Sequence, residues 1–352
     1  MTLRHLLVIR TDRMGDMILT SPLFTAIKQA YPDCRLTVLA SAAGAPIARA
    51  HSAVDAVEID PIPTKGSSWR GTLSLARRLR ALECDAAVVV FSKLRLAVAA
   101  WWARIPVRVG PGQRGYSFLY THPVRQDHRR PPIRHETSYC LDLLRPLGID
   151  PDPAARPTWQ VSGSDMATIE KLLASQGITP AQAVATIHPG HGGSSFNWTA
   201  QQYAELADCL TRECGLAIAV TGSADEVRLA ADVCAAMSKP AISLAGQLSV
   251  AQLAALLARS ALYVGSSTGP THLAAAVGTP VVALYSPLAE SRPERWRPQV
   301  DACEVLIPPV GQVCARCLGA RCPYFPCIEW ISVRAAADAA QRLLRRRPVT
   351  AS

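Results

Sequence analysis

Two stretches in the second half of the chain combine glycines and hydroxyls in a way that suits an anionic ligand. In the first, a short apolar strand at 261–264 delivers the chain to Gly265, Ser266, Ser267, Thr268 and Gly269, and Pro270 stands where a first helical turn tolerates a missing N–H. Such a helix N-terminus offers backbone donors and three hydroxyls to a phosphate or diphosphate. His272 falls in the same first turn. Gly278, Thr279 and Pro280 close that helix, and 281–285 reads as the next buried strand. In the second stretch, Gly190, His191, Gly192, Gly193, Ser194 and Ser195 supply closely approaching backbone and more hydroxyls, the features of a diphosphate cradle. Neither stretch contains a nucleophile pattern.

Carboxylates and cations stand at other element boundaries. Asp16 follows the first strand, where it could work as a proton acceptor or cap a helix starting near Met17. Asp12 is a rival carboxylate. Arg10 and Arg13 flank the same turn, and an arginine fork suits bidentate contact with carboxylate or phosphate, although Arg13 reads equally as surface charge. Glu226 follows a strand end and opens a helix, a place from which a carboxylate can accept from ribose hydroxyls. Asp225 could take that role, and helix capping explains either residue as well. Cys314, Cys317, Cys322 and Cys327 have spacing compatible with a structural zinc or iron, or with reduced thiols or a redox staple. The other seven cysteines are scattered and read as small buried hydrophobes.

The elements that must hold these residues alternate between strand and helix patterns from the start, which predicts βαβ units and parallel sheets. Strands are expected at 6–9, 36–40, 56–59, 86–91 and 107–109, with helices at 20–31, 69–82, 95–103 and 135–147. Three prolines within 150–157 then break the pattern. Beyond them come strands at 184–188, 216–221, 241–244 and 261–264, helices at 200–212, 225–237 and 250–258, and an amphipathic helix at 332–346. The expected organisation is a Rossmann-like domain over 1–150, a linker over 151–160, a second Rossmann-like domain over 161–331, and a C-terminal helix and tail over 332–352.

Composition agrees with packed α/β domains. The 352 residues are 49% hydrophobic and 18% charged, too apolar for a disordered chain and long enough for two cores. No apolar run approaches the ~20 residues that span a bilayer, and the run at 6–9 is too short for a secretory signal, so a cytoplasmic location is expected. Charge is uneven: residues 1–155 carry 21 Lys and Arg against 13 Asp and Glu, whereas the remainder carries 16 against 14. A basic first half suggests an anionic partner, or simply a solvated surface. Nucleic acid is disfavoured, because no helix-turn-helix, zinc-finger or aromatic RNA-binding signature accompanies the charge.

Four ordered segments resemble glycosyltransferase family 9, the ADP-heptose:lipopolysaccharide heptosyltransferases: 7–22 with its Gly15-Asp16 pair, 187–198 ending in Trp198, 264–287, and the cysteine cluster. The resemblance implies a GT-B architecture, two Rossmann-like domains whose parallel sheets face a central cleft. It further implies an inverting, metal-independent transfer of a heptose or related sugar from a nucleotide-diphospho-sugar such as ADP-heptose, with no cofactor required. The acceptor would be the lipopolysaccharide core and lipid A, met at the cytoplasmic face of the inner membrane through peripheral contact with its anionic surface. In this picture Asp16 is the base, and Arg10 and Arg13 meet the acceptor. Gly192, Gly193, Ser194, Ser195, Glu226, Ser267, Thr268, Gly269 and His272 hold the donor.

Two positions depart from the family pattern. Phe196 stands where the better-known heptosyltransferases tend to carry a lysine, which leaves Arg10, His188, His191 or the helix dipole at Thr268 to neutralise the diphosphate. Ser267 stands where several members have an aspartate. Other readings on the same fold are a nucleotide-sugar epimerase, or a non-catalytic protein that binds nucleotide-sugar or lipid core.

Overall fold

The computed structural model describes residues 3–60, 68–128, 131–193 and 196–346. The chain divides into two compact units, Met1–Pro157 and Thr158–Ser352. Unit 1 contains β1 (His5–Arg10), α1 (Met14–Ala30), β2 (Arg35–Ala40), α2 (Ala45–Ala50), β3 (Ala56–Ile59), α3 (Trp69–Ala81), β4 (Ala86–Val89), α4 (Leu94–Trp102), β5 (Val107–Pro111), β6 (His122–Val124) and α5 (Glu136–Asp142). Its described strands form a parallel sheet in the order β3-β2-β1-β4-β5-β6. The central strand β1 pairs Leu6 with Leu36 on one side and with Ala86 on the other. Leu6 to Ile9 are fully buried. A strand covered on both faces reads as an unbroken apolar run, and this one does.

Unit 2 contains α6 (Gly163–Ser175), β7 (Val184–His188), α7 (Ala200–Cys214), β8 (Ala217–Val220), α8 (Val227–Ala236), β9 (Ile242–Ser243), α9 (Val250–Arg259), β10 (Leu262–Ser266), α10 (Gly269–Ala276), β11 (Val281–Leu284), α11 (Pro293–Trp296), β12 (Cys303–Leu306) and α12 (Val333–Arg346). Its sheet runs β12-β11-β10-β7-β8-β9. Counted from the first strand of each unit, the two orders are the same: three strands step outward on one side, then three on the other. The reversal falls between β1 and β4 in unit 1 and between β7 and β10 in unit 2. In a doubly wound sheet, ligands bind at that switch point, outside the carboxyl ends of the strands.

The α/β class and both parallel sheets match the expectation from sequence, and the differences have local causes. α1 starts at Met14 rather than Thr20, and it runs through Pro22, which is buried inside the helix. β6 and β12 were not anticipated. Both are edge strands, and β6 contains Pro123, which a sheet tolerates only at an edge. The amphipathic α12 packs Ala336, Ala340 and Leu343 into the same core as Leu206 and Leu210 of α7.

Candidate active site

In unit 1 the site grows from the carboxyl end of β1. Arg10 is its last residue, Arg13 is the N-cap of α1, and Asp16 is the third residue of that helix. Asp16 therefore sits inside the first helical turn and does not cap it. A negative charge in that turn is favoured by the helix dipole. The Arg10 side chain is only 4% exposed and is surrounded by carboxylates: Nε lies 2.8 Å from Asp12 Oδ1, Nη2 2.8 Å from Asp16 Oδ1, and Nη1 3.2 Å from Glu136 Oε1.

Glu136 begins α5 and is itself buried. α5 braces α1: the Thr137 hydroxyl donates to Leu19 O at 3.1 Å, and Cys140 Sγ lies 3.6 Å from Thr20 Oγ1. One guanidinium thus faces three carboxylates. Burial opposes its charge, yet the surrounding carboxylates hold Arg10 protonated well above the ordinary arginine value. Burial, reinforced by Asp16 and Glu136 and opposed by Arg10, pushes the Asp12 carboxyl up to about 7. Of the three acids, Asp16 is the most open, its side chain 17% exposed.

This arrangement revises the expectation for Arg10. A guanidinium already engaged by three carboxylates is a holder of Asp16 rather than a ready counterion for a diphosphate. Arg13 is exposed at the helix start. Glu136 was missed because nothing local marks it; its only sequence signal is a glutamate four residues before Cys140 on an otherwise buried helix face.

In unit 2 both glycine- and hydroxyl-rich segments lie at the switch point. β7 and β10 are adjacent, with Gly265 opposite His188, so the turns that leave their carboxyl ends rise side by side. After β7 comes the glycine loop. Gly192 and Gly193 adopt positive φ of 49° and 68°, a conformation that favours glycine. The loop is closed by Glu226: Oε1 accepts from Gly192 N at 3.1 Å, while Oε2 accepts from Ser223 N and from Ser223 Oγ, both at 2.9 Å. A Cβ built on Gly190 would collide with the Glu226 carboxylate, so only glycine leaves that group its position. These hydrogen bonds hold Glu226 below the usual carboxylate range against the opposing effect of burial.

The capping role of Glu226 is therefore the one whose geometry is present, and both oxygens are engaged within the protein. Asp225 is exposed beside it. Further along the loop, Trp198 is buried edge-on against Tyr203, 5.5 Å between rings, and anchors the loop in the core. Ser194 and Ser195 lie outside the described residues.

The second turn carries Ser267, Thr268 and Gly269. Thr268 is the N-cap of α10 in extended conformation, and its side chain makes no cap hydrogen bond to the helix. Thr271 instead fixes the turn from within: its hydroxyl donates to Ser266 O at 2.5 Å and lies 3.1 Å from the Tyr263 hydroxyl. Ser267 hydrogen-bonds to the phenol of buried Tyr285. His272 is buried beneath the turn at 5% exposure. Phe196 packs on the unit 2 core.

His188 is unsuited to be a countercharge. Burial drives its pKa to about 4, leaving a neutral imidazole, Nδ1 3.0 Å from Thr221 Oγ1. Among the described residues, this switch point offers an anion backbone N–H groups and the start of α10, with His191 on the loop beside them.

The four clustered cysteines are free thiols, and among the described residues no group of three or more His, Cys, Asp or Glu is placed to hold a metal ion. Of the open readings for this cluster, a structural zinc or iron is not supported. Instead the cysteines line a cavity of about 430 Å³ with Phe196, Leu288 and other apolar side chains. Their segment is tied to the chain beyond β11 by Cys314 N to Pro287 O and Ala289 N to Cys314 O, both 2.8 Å.

Comparison with known proteins bears on the family and the fold. The family model described as Glycosyltransferase family 9 (heptosyltransferase) matches residues 72–324. A lipopolysaccharide heptosyltransferase 3 of Escherichia coli K12 is 27% identical over 284 residues, covering 77% of this chain and 79% of that protein. A lipopolysaccharide heptosyltransferase 2 of Salmonella typhimurium is 28% identical over 298 residues, covering 80% and 82%. The solved structure of E. coli ADP-heptose lps heptosyltransferase II superposes with a TM-score of 0.77 at 23% identity, covering 97% of this chain and 99% of that one.

Proposed function

Because the chain belongs to glycosyltransferase family 9, we propose that it transfers a heptose or closely related sugar from ADP-heptose to a hydroxyl of the lipopolysaccharide core. The observation that carries this reading is the pairing of the Gly190–Gly193 loop with the Thr268–Gly269 turn on neighbouring strands at the unit 2 switch point. Two backbone-rich turns side by side suit two linked phosphates. Membership of a transferase family displaces the epimerase and the non-catalytic binder as readings.

The chemistry is an inverting displacement. The acceptor oxygen attacks the anomeric carbon, the bond from that carbon to the diphosphate oxygen breaks with its electron pair, and Asp16 takes the acceptor proton. Arg10 positions Asp16, and Arg13 contacts an anionic acceptor group such as Kdo or a phosphorylated heptose. The leaving diphosphate is stabilised by Gly192, Gly193, Thr268 and Gly269, with Ser194 and Ser195 beside them, so no catalytic metal is needed. We assign Ser267 and His272 to contact with the donor at that turn, Asp225 to a ribose hydroxyl, and Glu226 to holding the loop. The acceptor is lipid-borne and is met at an anionic membrane surface.

Thermal shift with ADP, UDP and GDP tests the donor assignment. ADP should stabilise the protein most, and should do so equally in EDTA. Preference for UDP or GDP, or stabilisation that requires Mg²⁺, would contradict it.

A further inference from the structure

The positive excess of unit 1 is concentrated in one segment. Residues 68–118 hold nine Lys and Arg against two Asp and Glu, and neither α3 nor α4 contains an acidic residue. The same segment holds every large hydrophobic side chain exposed in the described part of unit 1: Trp69 at 66%, Leu94 at 55%, Trp101 at 47% and Phe118 at 80%.

These side chains are gathered. α3 and α4 pack together through a core that includes Leu75, Leu79, Leu96 and Ala100. Trp69 at the start of α3 meets Trp102 at the end of α4 edge to face, ring centroids 4.4 Å apart, and Trp101 stacks beside Trp102 at 6.4 Å. Leu94 lies seven residues before Trp101, on the same side of α4. The turn bearing Phe118 packs against α4 as well. Exposed Arg70 and Arg104 adjoin the tryptophans, and exposed Arg77 continues the outer face of α3, whereas Arg78 and Arg95 are held by Glu58 and Asp60.

Exposed aromatic and aliphatic side chains rimmed by arginine have two parts with different solvents. Indole and leucine favour the boundary between headgroups and acyl chains, and the guanidinium reaches lipid phosphate from there. A nucleic-acid platform would present open ring faces for bases to stack on. On this face the three tryptophans pack on one another, and aliphatic Leu94 stands on the same side of α4 as Trp101.

We propose that the α3–α4 face of unit 1, centred on Trp69, Trp101 and Phe118, is the surface by which the protein docks on an anionic phospholipid bilayer. The inference deepens the reading of a lipid-borne acceptor and rests on it only for the purpose of the contact. Docking itself needs neither sugar nor acceptor.

Flotation of the full-length protein with vesicles of phosphatidylcholine, alone or mixed with phosphatidylglycerol, tests it. The protein should float with the mixed vesicles alone, be released as salt rises, and lose tryptophan emission when the acyl chains are brominated. Two double variants, Trp69→Ser with Trp101→Ser and Arg70→Glu with Arg77→Glu, should each weaken partitioning by ~10-fold or more. Their turnover of a water-soluble core fragment should stay normal. Equal flotation with neutral vesicles, or unchanged partitioning in both variants, would overturn the proposal. So would a self-association or RNA binding that both variants abolish while vesicle binding persists. Absence of docking with intact turnover in the wild type would sink this inference alone, whereas docking without turnover would sink only the proposed reaction.

Discussion

Arg10 and Glu136 are 126 residues apart in sequence and meet at 3.2 Å, joining the end of the central strand to the start of α5. The contact matters because Glu136, together with Asp12, fixes the guanidinium that in turn holds Asp16.

Replacing Glu136 by Gln should therefore lower kcat by ~10-fold while leaving the KM for donor near normal, since the donor turns belong to unit 2. The conservative Glu136→Asp should recover part of that rate. A fall in melting temperature with kcat unchanged would make Glu136 merely structural.

Asp12 gives a pH signature of its own. Its folded carboxyl is raised to about 7 from an ordinary ~3.9, so across that window the folded state binds a proton that the unfolded state has lost. The resulting stability is fully present below about pH 4 and disappears as pH rises through 7. Asp12→Asn should flatten this part of the dependence of melting temperature on pH, measured from pH 5 to 8. A wild-type curve with no such decline, or one identical to that of the variant, would refute the assignment.

Much of this architecture was legible because parallel strands buried on both faces advertise themselves as apolar runs, as Leu6 to Ile9 and Val184 to Ile187 do. The two glycine- and hydroxyl-rich turns were legible for a related reason: glycine, proline and hydroxyls carry their backbone meaning locally. What was hidden depends on long-range contact. Glu136 reaches Arg10 only through the packing of α5 on α1, and Glu226 becomes the clasp of Gly192 only because β7 and β8 are neighbours. The cysteines do gather around one cavity, but no group of three or more is placed to hold a metal ion among the described residues, and spacing along a chain does not report that geometry.

The clasp yields a paired prediction. Gly190→Ala places a methyl group where the Glu226 carboxylate now lies, and should raise the Kd for ADP by ~10-fold or more, with a smaller effect on stability. Glu226→Gln keeps acceptor capacity on one oxygen only, and should weaken ADP by an intermediate amount, about 0.5–1.5 kcal/mol. Isothermal titration with ADP measures both. A Gly190→Ala protein that binds ADP normally would show that the loop does not touch the nucleotide.

The most direct test of Asp16 as the base is single-turnover transfer by Asp16→Asn. Asparagine is nearly the same size and can still hydrogen-bond Arg10, but it cannot accept the acceptor proton at neutral pH. With ADP-heptose and a core acceptor, kcat should fall by ~10²-fold or more, while the Kd for ADP changes less than about twofold. Turnover within a few-fold of wild type would remove Asp16 as the base, and with it the role of Arg10 in positioning that carboxylate.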